Sequence, residues 1–144
     1  MLKISINVFL IGILLLSFSC KEKFNGASKY YDYCKINGRA FELLMMEVKS
    51  DSLNYKKKIT FDDNSHFKNT IAPGGAIKDS MKKHRIHEIY WDPNEVSFRF
   101  ISLSKSDKFN SWWIYRNHNV KDTMTSTYYI KVIDSSQYFF AEMY

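Results

Sequence analysis

Apolar and polar residues alternate along most of the chain beyond residue 55. In the segment 96–100, for example, polar residues separate Val96, Phe98 and Phe100. This alternation is typical of strands that bury one face, and the many aromatic and β-branched residues favour the same structure. We predict strands near residues 40–48, 55–62, 66–71, 85–91, 95–103, 111–116, 124–134 and 137–143.

Short polar segments separate the predicted strands, and those at 62–65, 92–95 and 134–137 each begin with Asp, a typical turn residue. The first predicted strand has an alternative, because its residues 43–46 could form a helical turn. Residues 76–84 are expected to form a short helix or a loop. About eight strands joined by short turns predict an all-β fold. We expect an antiparallel up-and-down meander closed into a barrel, with a β-sandwich as the alternative.

The first 20 residues have the layout of an export signal. Lys3 precedes an apolar run at residues 4–18, and Ser19 precedes Cys20. This run is short for a membrane span, which needs roughly 20 residues. The sequence around Cys20 resembles the lipobox of bacterial lipoproteins, in the loose form found in Bacteroidota.

The lipobox resemblance implies that residues 1–19 are a signal peptide and that Cys20 is the lipid attachment site. Acyl chains on Cys20 would hold the protein on a membrane, residues 20–29 would form a flexible tether, and residues 30–144 would form a single domain. The implied location is the cell envelope, at the outer membrane of a Gram-negative bacterium, facing the periplasm or the cell surface. The alternative is an uncleaved anchor helix in which Cys20 is an ordinary apolar residue.

Charge and cysteine content narrow the range of partners. The chain has 21 Lys and Arg against 15 Asp and Glu, a net charge of +6, but acids interrupt the basic clusters. We therefore expect a solvated basic surface and no nucleic-acid partner, with contact to acidic headgroups or glycans as the alternative. Lipidation of Cys20 would leave Cys34 without an internal disulfide partner, so Cys34 is expected to be buried.

Two segments suggest a family. Residues 59–67 read as a strand, an acidic turn and a Phe, and residues 128–142 read as a closing hairpin. Both resemble the hairpins of the lipocalin-like domains that occur on small bacterial lipoproteins. The resemblance implies a calycin barrel that binds a small apolar molecule.

Motifs for catalysis are missing from the sequence. It contains no Gly-x-Ser-x-Gly, no P-loop and no His-Glu-x-x-His. His84 and His87 would face opposite sides of a strand, and no third ligand is evident, so we predict no metal site. We expect a protein that is not an enzyme and uses no cofactor.

The aromatic segment 112–115 is the candidate binding site. On a strand, Trp112 and Ile114 point one way, while Trp113 and Tyr115 point the other. One pair should enter the core, and the other should face solvent, a ligand or a covering segment. We therefore name Trp112, Trp113 and Tyr115 as candidate ligand or glycan contacts.

Three functions are compatible with these features. The first is a lipid-anchored, lipocalin-like protein that binds a small apolar ligand or a partner protein. The second is a surface glycan-binding module that uses the aromatic segment. The third is an inhibitor or immunity-type lipoprotein. An exposed aromatic row would favour the second, and an enclosed cavity would favour the first.

Overall fold

A computed structural model describes residues 26–61, 69–102, 108–116 and 119–144. The described residues form one mixed sheet with two helices packed against one of its faces. The elements, in chain order, are helix α1 (Ala27–Ser50), a short 3-10 helix (Ser52–Asn54), β1 (Lys58–Thr60), β2 (Thr70–Ile71), helix α2 (Gly75–Lys83), β3 (Ile86–Trp91), β4 (Glu95–Phe100), β5 (Phe109–Arg116), β6 (Thr123–Met124), β7 (Tyr128–Val132) and β8 (Gln137–Met143). The fold is therefore mostly β rather than all-β, and it contains a long helix that the sequence analysis did not predict.

The sheet is open. Its eight strands run in the order β2-β1-β3-β4-β5-β8-β7-β6, and the outermost strands, β2 and β6, have two residues each. All neighbouring strands are antiparallel except β1 and β2. The sheet has eight strands, but the predicted set differs, because residues 40–48 are helical and the predicted strand 124–134 corresponds to both β6 and β7. The closed barrel, the sandwich and the wholly antiparallel pairing are wrong. Helices cover the buried face of the sheet, so no opposite wall of strands is needed to enclose the core.

Helix α1 replaces the predicted strand at residues 40–48, and it begins at Ala27, three residues before the predicted domain boundary. Its buried positions lie on one face and are mostly three or four residues apart, which is the helical period. They are Ala27, Tyr30, Cys34, Gly38, Phe41, Leu44, Met45 and Val48. The apolar residues Ile36, Leu43 and Met46 lie on the exposed side, and they obscure this period in the sequence.

Helix α2 confirms the helical alternative that was left open for residues 76–84. The strand predictions in the second half of the chain correspond to β3, β4, β5, β7 and β8, with shifts of a few residues at their ends. The predicted turn at 62–65 and part of the lipocalin-like segment 59–67 lie outside the described residues. So do the signal segment, Cys20 and most of the predicted tether.

The core lies between α1 and the sheet, and Phe41 is at its centre. The Phe41 ring packs against Phe98 of β4 and Trp113 of β5, with ring centroids 5.9 and 5.5 Å away. All three side chains are fully buried. Val96, Phe98 and Phe100 all face this core, so the alternation in β4 identified the buried face correctly.

A polar contact joins α1 to the sheet inside this core. Trp113 Nε1 donates to Gln137 Oε1 over 3.0 Å, and Gln137 Nε2 donates to Glu42 Oε1 over 2.8 Å. Gly38 makes room for the amide, because a Cβ at this position would lie only 3.1 Å from Gln137 Oε1. The buried indole N–H is thereby paired, which removes the cost of an unsatisfied donor.

Cys34 lies in the same core, as expected. It is fully buried, and burial raises the pKa of its thiol far above the ordinary range. Because the thiolate is the reactive form, Cys34 is a packing residue rather than a nucleophile.

Candidate binding surface

The face of the sheet opposite α1, here called the open face, carries the polar alternates of each strand together with several large apolar side chains. The strand register assigns to it Lys58, Glu88, Tyr90, Glu95, Ser97, Arg99, Asn110, Trp112, Ile114, Arg116, Tyr128, Ile130, Val132, Tyr138, Phe140 and Glu142. Most of these residues keep part of their surface exposed. The open face is therefore the broadest surface on which β5, β7 and β8 could meet a ligand.

Three aromatic side chains form a row across the open face. Trp112 of β5 lies directly opposite Phe140 of β8, and their ring centroids are 5.4 Å apart. Tyr128 of β7 lies on the other side of Phe140, at 6.3 Å. All three rings are partly exposed. Because neighbouring strands are about 4.8 Å apart, the row extends across about 10 Å of the sheet.

Charged groups border the aromatic row on the β4 side. Arg99 lies directly opposite Trp112, and its Nη2 is 3.4 Å from Glu88 Oε2. Lys58 Nζ approaches the same carboxylate oxygen at 3.1 Å. Arg99 Nε is buried and has no hydrogen-bond partner within the described parts of the chain. Arg99 thus lies beside Trp112 and forms an ion pair with Glu88.

The opposite end of the open face carries a second group of polar side chains. Glu95 and Arg116 are directly opposite on neighbouring strands, with Tyr138 close to both. Burial raises the pKa of Glu95, Asp92 adds to this rise, and Arg116 opposes it. Burial also raises the pKa of Tyr138, next to Glu95, while its hydrogen bond to Arg116 lowers it. These groups are neighbours, with Tyr138 buried and with Glu95 and Arg116 partly exposed.

The three candidate contacts are divided between the two faces. Trp112 and Ile114 lie on the open face, and Trp113 and Tyr115 lie on the helix face, as the alternation predicted. Trp113 is 0% exposed and belongs to the core. Tyr115 is partly exposed at the margin of α1, with Lys49 Nζ 5.6 Å from its ring centroid. Trp112 therefore lies on the opposite face of the sheet from Trp113 and Tyr115, the other two candidate contacts.

Phe140 and Tyr128 are the members of the row that the sequence analysis missed. Each lies in a segment correctly predicted as a strand, but membership of the row depends on which strands are neighbours. The order β5-β8-β7 and its register bring Trp112, Phe140 and Tyr128 together. Alternation within one strand identifies a face, and it carries no signal about the neighbouring strand.

The described residues contain no group of three or more His, Cys, Asp or Glu side chains that could hold a metal ion. His84 ends helix α2, whereas His87 lies in β3. Within the described ranges, no helix combines the length and apolarity that crossing a bilayer requires.

The chain matches no family model, and no curated protein or solved structure is significantly similar to it.

Proposed function

We propose that this protein is a lipid-anchored, non-enzymatic binding protein of the cell envelope, and that its open face binds carbohydrate. The observation that carries the proposal is the aromatic row formed by Trp112, Phe140 and Tyr128. Sugar rings present C–H groups on their faces, and these groups pack against exposed aromatic rings. A row about 10 Å long would contact two consecutive sugar units of a chain.

Polar side chains around the row supply the second requirement of a sugar site. Hydroxyl groups of a stacked sugar need donors and acceptors at the ring edges, since burying them unpaired is costly. Arg99 borders Trp112 on one side, while Asn110 and Glu142 are directly opposite each other one step along β5 and β8. This combination of apolar rings with a few polar groups is typical of sites that orient a polar ligand.

The open sheet favours this surface over the small apolar ligand of a lipocalin. The sheet encloses no barrel interior, and the helix side is filled by Phe41, Phe98 and Trp113. Two described cavities, of about 230 and 190 Å³, lie at the end of β4 rather than between opposing walls of strands.

A lipid anchor on Cys20 fits this arrangement. Gly26, which precedes α1, is six residues beyond Cys20, and six extended residues span at most about 20 Å. Such a tether would keep the domain close to the membrane while leaving one side of the sheet available to envelope glycans.

Affinity electrophoresis of the full-length protein in mild detergent, through gels containing defined polysaccharides, tests the proposal. We expect at least one polysaccharide to retard the protein, and Trp112→Ala to weaken that retardation by about tenfold, since a stacked aromatic contributes on the order of 1 kcal/mol or more. Tyr55→Ala is the matched control, because Tyr55 is an exposed aromatic (39%) outside the open face. Equal effects of the two substitutions would contradict the assignment to the row. Absence of retardation throughout a broad panel would favour a protein partner instead.

A further inference from the structure

A separate pocket of about 190 Å³ lies where the first turns of α1 meet the end of α2 and the end of β4. Its lining includes three aromatic residues, Tyr30, Tyr33 and Phe100, together with Ile101. Lys83, His84 and Arg85 complete the lining, whose exposed surface is mostly apolar. The open-face row contributes no residue to this pocket, so it is a second candidate site.

The aromatic wall is held in place by contacts within the core. The Tyr33 hydroxyl and His84 Nδ1 are 2.9 Å apart and share a hydrogen bond. The Tyr33 ring meets Phe100 edge to face, with centroids 6.3 Å apart. His84 in turn packs against Phe41 at 5.3 Å. The wall is therefore preformed, and little ordering would be needed when a ligand enters.

Two exposed basic side chains border the pocket. Lys83 and Arg85 both border it, and none of the lining residues in the described chain is acidic. Arg85 Nη2 donates to the carbonyl of Ser102 over 3.3 Å, which positions the guanidinium and leaves its other donors for a ligand.

The backbone at Arg85 is strained. Its φ angle is 54°, in the left-handed region that favours glycine. The surrounding bonds impose this geometry, since Arg85 N donates to Lys82 O over 3.3 Å and Ile101 N donates to Arg85 O over 2.8 Å. Arginine thus occupies a position where glycine would be less strained, and its side chain borders the pocket. Arg85 directly follows His84, the C-cap of α2, so its left-handed backbone is the usual way in which a helix ends, and it directs the chain from α2 into β3.

We propose that this pocket binds a small monocarboxylic acid with an apolar body. The apolar body packs against Tyr30, Tyr33 and Phe100, while the carboxylate pairs with Lys83 and Arg85. An apolar cavity of about 150 Å³ holds benzene, so a pocket of about 190 Å³ accommodates an aromatic ring with a short acidic side chain. Charge-assisted bonds from a guanidinium to a carboxylate supply the specificity for the acid.

Isothermal titration of the full-length protein in a neutral detergent, with empty micelles as the blank, tests this ligand class. Phenylacetate is the probe, phenylacetamide is its uncharged counterpart, and inorganic phosphate reports binding of an anion without an apolar body. We expect saturable binding of phenylacetate and at least about tenfold weaker binding of the other two. Failure of phenylacetate to bind, or equal affinity for phosphate, would overturn the proposal.

Variants then localise the site. Lys83→Gln and Arg85→Gly should each weaken phenylacetate binding several-fold, and Arg85→Gly should retain the melting temperature because glycine accepts the φ of 54°. Lys82→Gln is the matched control, since Lys82 is an exposed neighbour that does not line the pocket. A loss with Lys82→Gln as large as with Lys83→Gln would indicate nonspecific attraction and would refute the site. Trp112→Ala should leave phenylacetate binding unchanged, so this test is independent of the glycan proposal.

Discussion

At the scale of single residues, His84 illustrates how position changes chemistry. The sequence pairs it with His87 at a spacing of three, and the structure separates the two histidines into a helix end and a strand. His84 is buried against Phe41, and its Nδ1 shares a hydrogen bond with the Tyr33 hydroxyl. Burial lowers the pKa of His84, and the adjacent positive charge of Lys83 lowers it further.

This lowered pKa predicts a loss of stability in mild acid. The unfolded chain protonates His84 near its ordinary pKa of about 6.5, and the folded protein does so only at lower pH. The unfolded state therefore binds more protons in that window, and the free energy of unfolding falls as pH drops below about 6.5. A single titrating group changes the free energy of unfolding by at most about 1.4 kcal/mol per pH unit.

Urea denaturation at a series of pH values from 7 to 5 measures this dependence. His84→Gln keeps an acceptor for Tyr33 and removes the titrating group, so its pH dependence should be shallower than that of the original protein. If the free energy of unfolding depended on pH equally in the two proteins, His84 would make no contribution to the pH dependence of stability.

At the scale of elements, α1 is the largest departure from the expected fold. Its residues 43–46 are four consecutive apolar residues, which a buried strand or a helix could equally supply. The structure puts Leu44 and Met45 in the core and leaves Leu43 and Met46 exposed. Packing against β5 and β8 favours the helix, because 24 residues with buried positions every three or four cover the sheet in one element.

Proline substitutions distinguish the helix from the strand that the sequence predicted. Ala40→Pro lies in the middle of α1, where proline removes a backbone hydrogen bond and clashes with the preceding turn. We expect it to cost about 3 kcal/mol or more. Ser28→Pro is the control, since first-turn N–H groups have no intrahelical partner and proline is tolerated there.

Far-ultraviolet circular dichroism and urea denaturation of residues 21–144 provide the measurement. The unaltered segment should show a mixed helix and sheet spectrum and a cooperative transition. A similar loss of stability for both proline variants would contradict the position of α1.

At the scale of the whole molecule, the two faces of the sheet differ in what covers them. One side of the sheet is occupied by the core around Phe41, and the other carries the aromatic row. The acid-binding pocket lies at the end of β4, near the start of α1. Anchoring through Cys20 would place this pocket, at the start of α1, close to the lipid. The C-terminal end of α1 would lie farther from the lipid.

Anchoring is tested by metabolic labelling with a radioactive fatty acid in a bacterial host that processes lipoproteins. The original protein should incorporate the label and show the processed mass, whereas Cys20→Ala should incorporate none and retain the precursor mass. Cys34→Ala is the matched control and should label normally, because Cys34 is buried in the core. A labelled or normally processed Cys20→Ala protein would exclude lipidation at Cys20.

The sequence by itself determined the local features of the fold. Alternation in β4 identified its buried face, and the turn residues near 92–95 and 134–137 separated the correct strands. Tertiary structure alone decided three things: the helical state of residues 27–50, the open edges of the sheet, and the meeting of Trp112 with Phe140 and Tyr128. The physical reason is that side-chain period depends on neighbouring residues of one segment, whereas strand order and the choice of covering layer depend on contacts between distant segments.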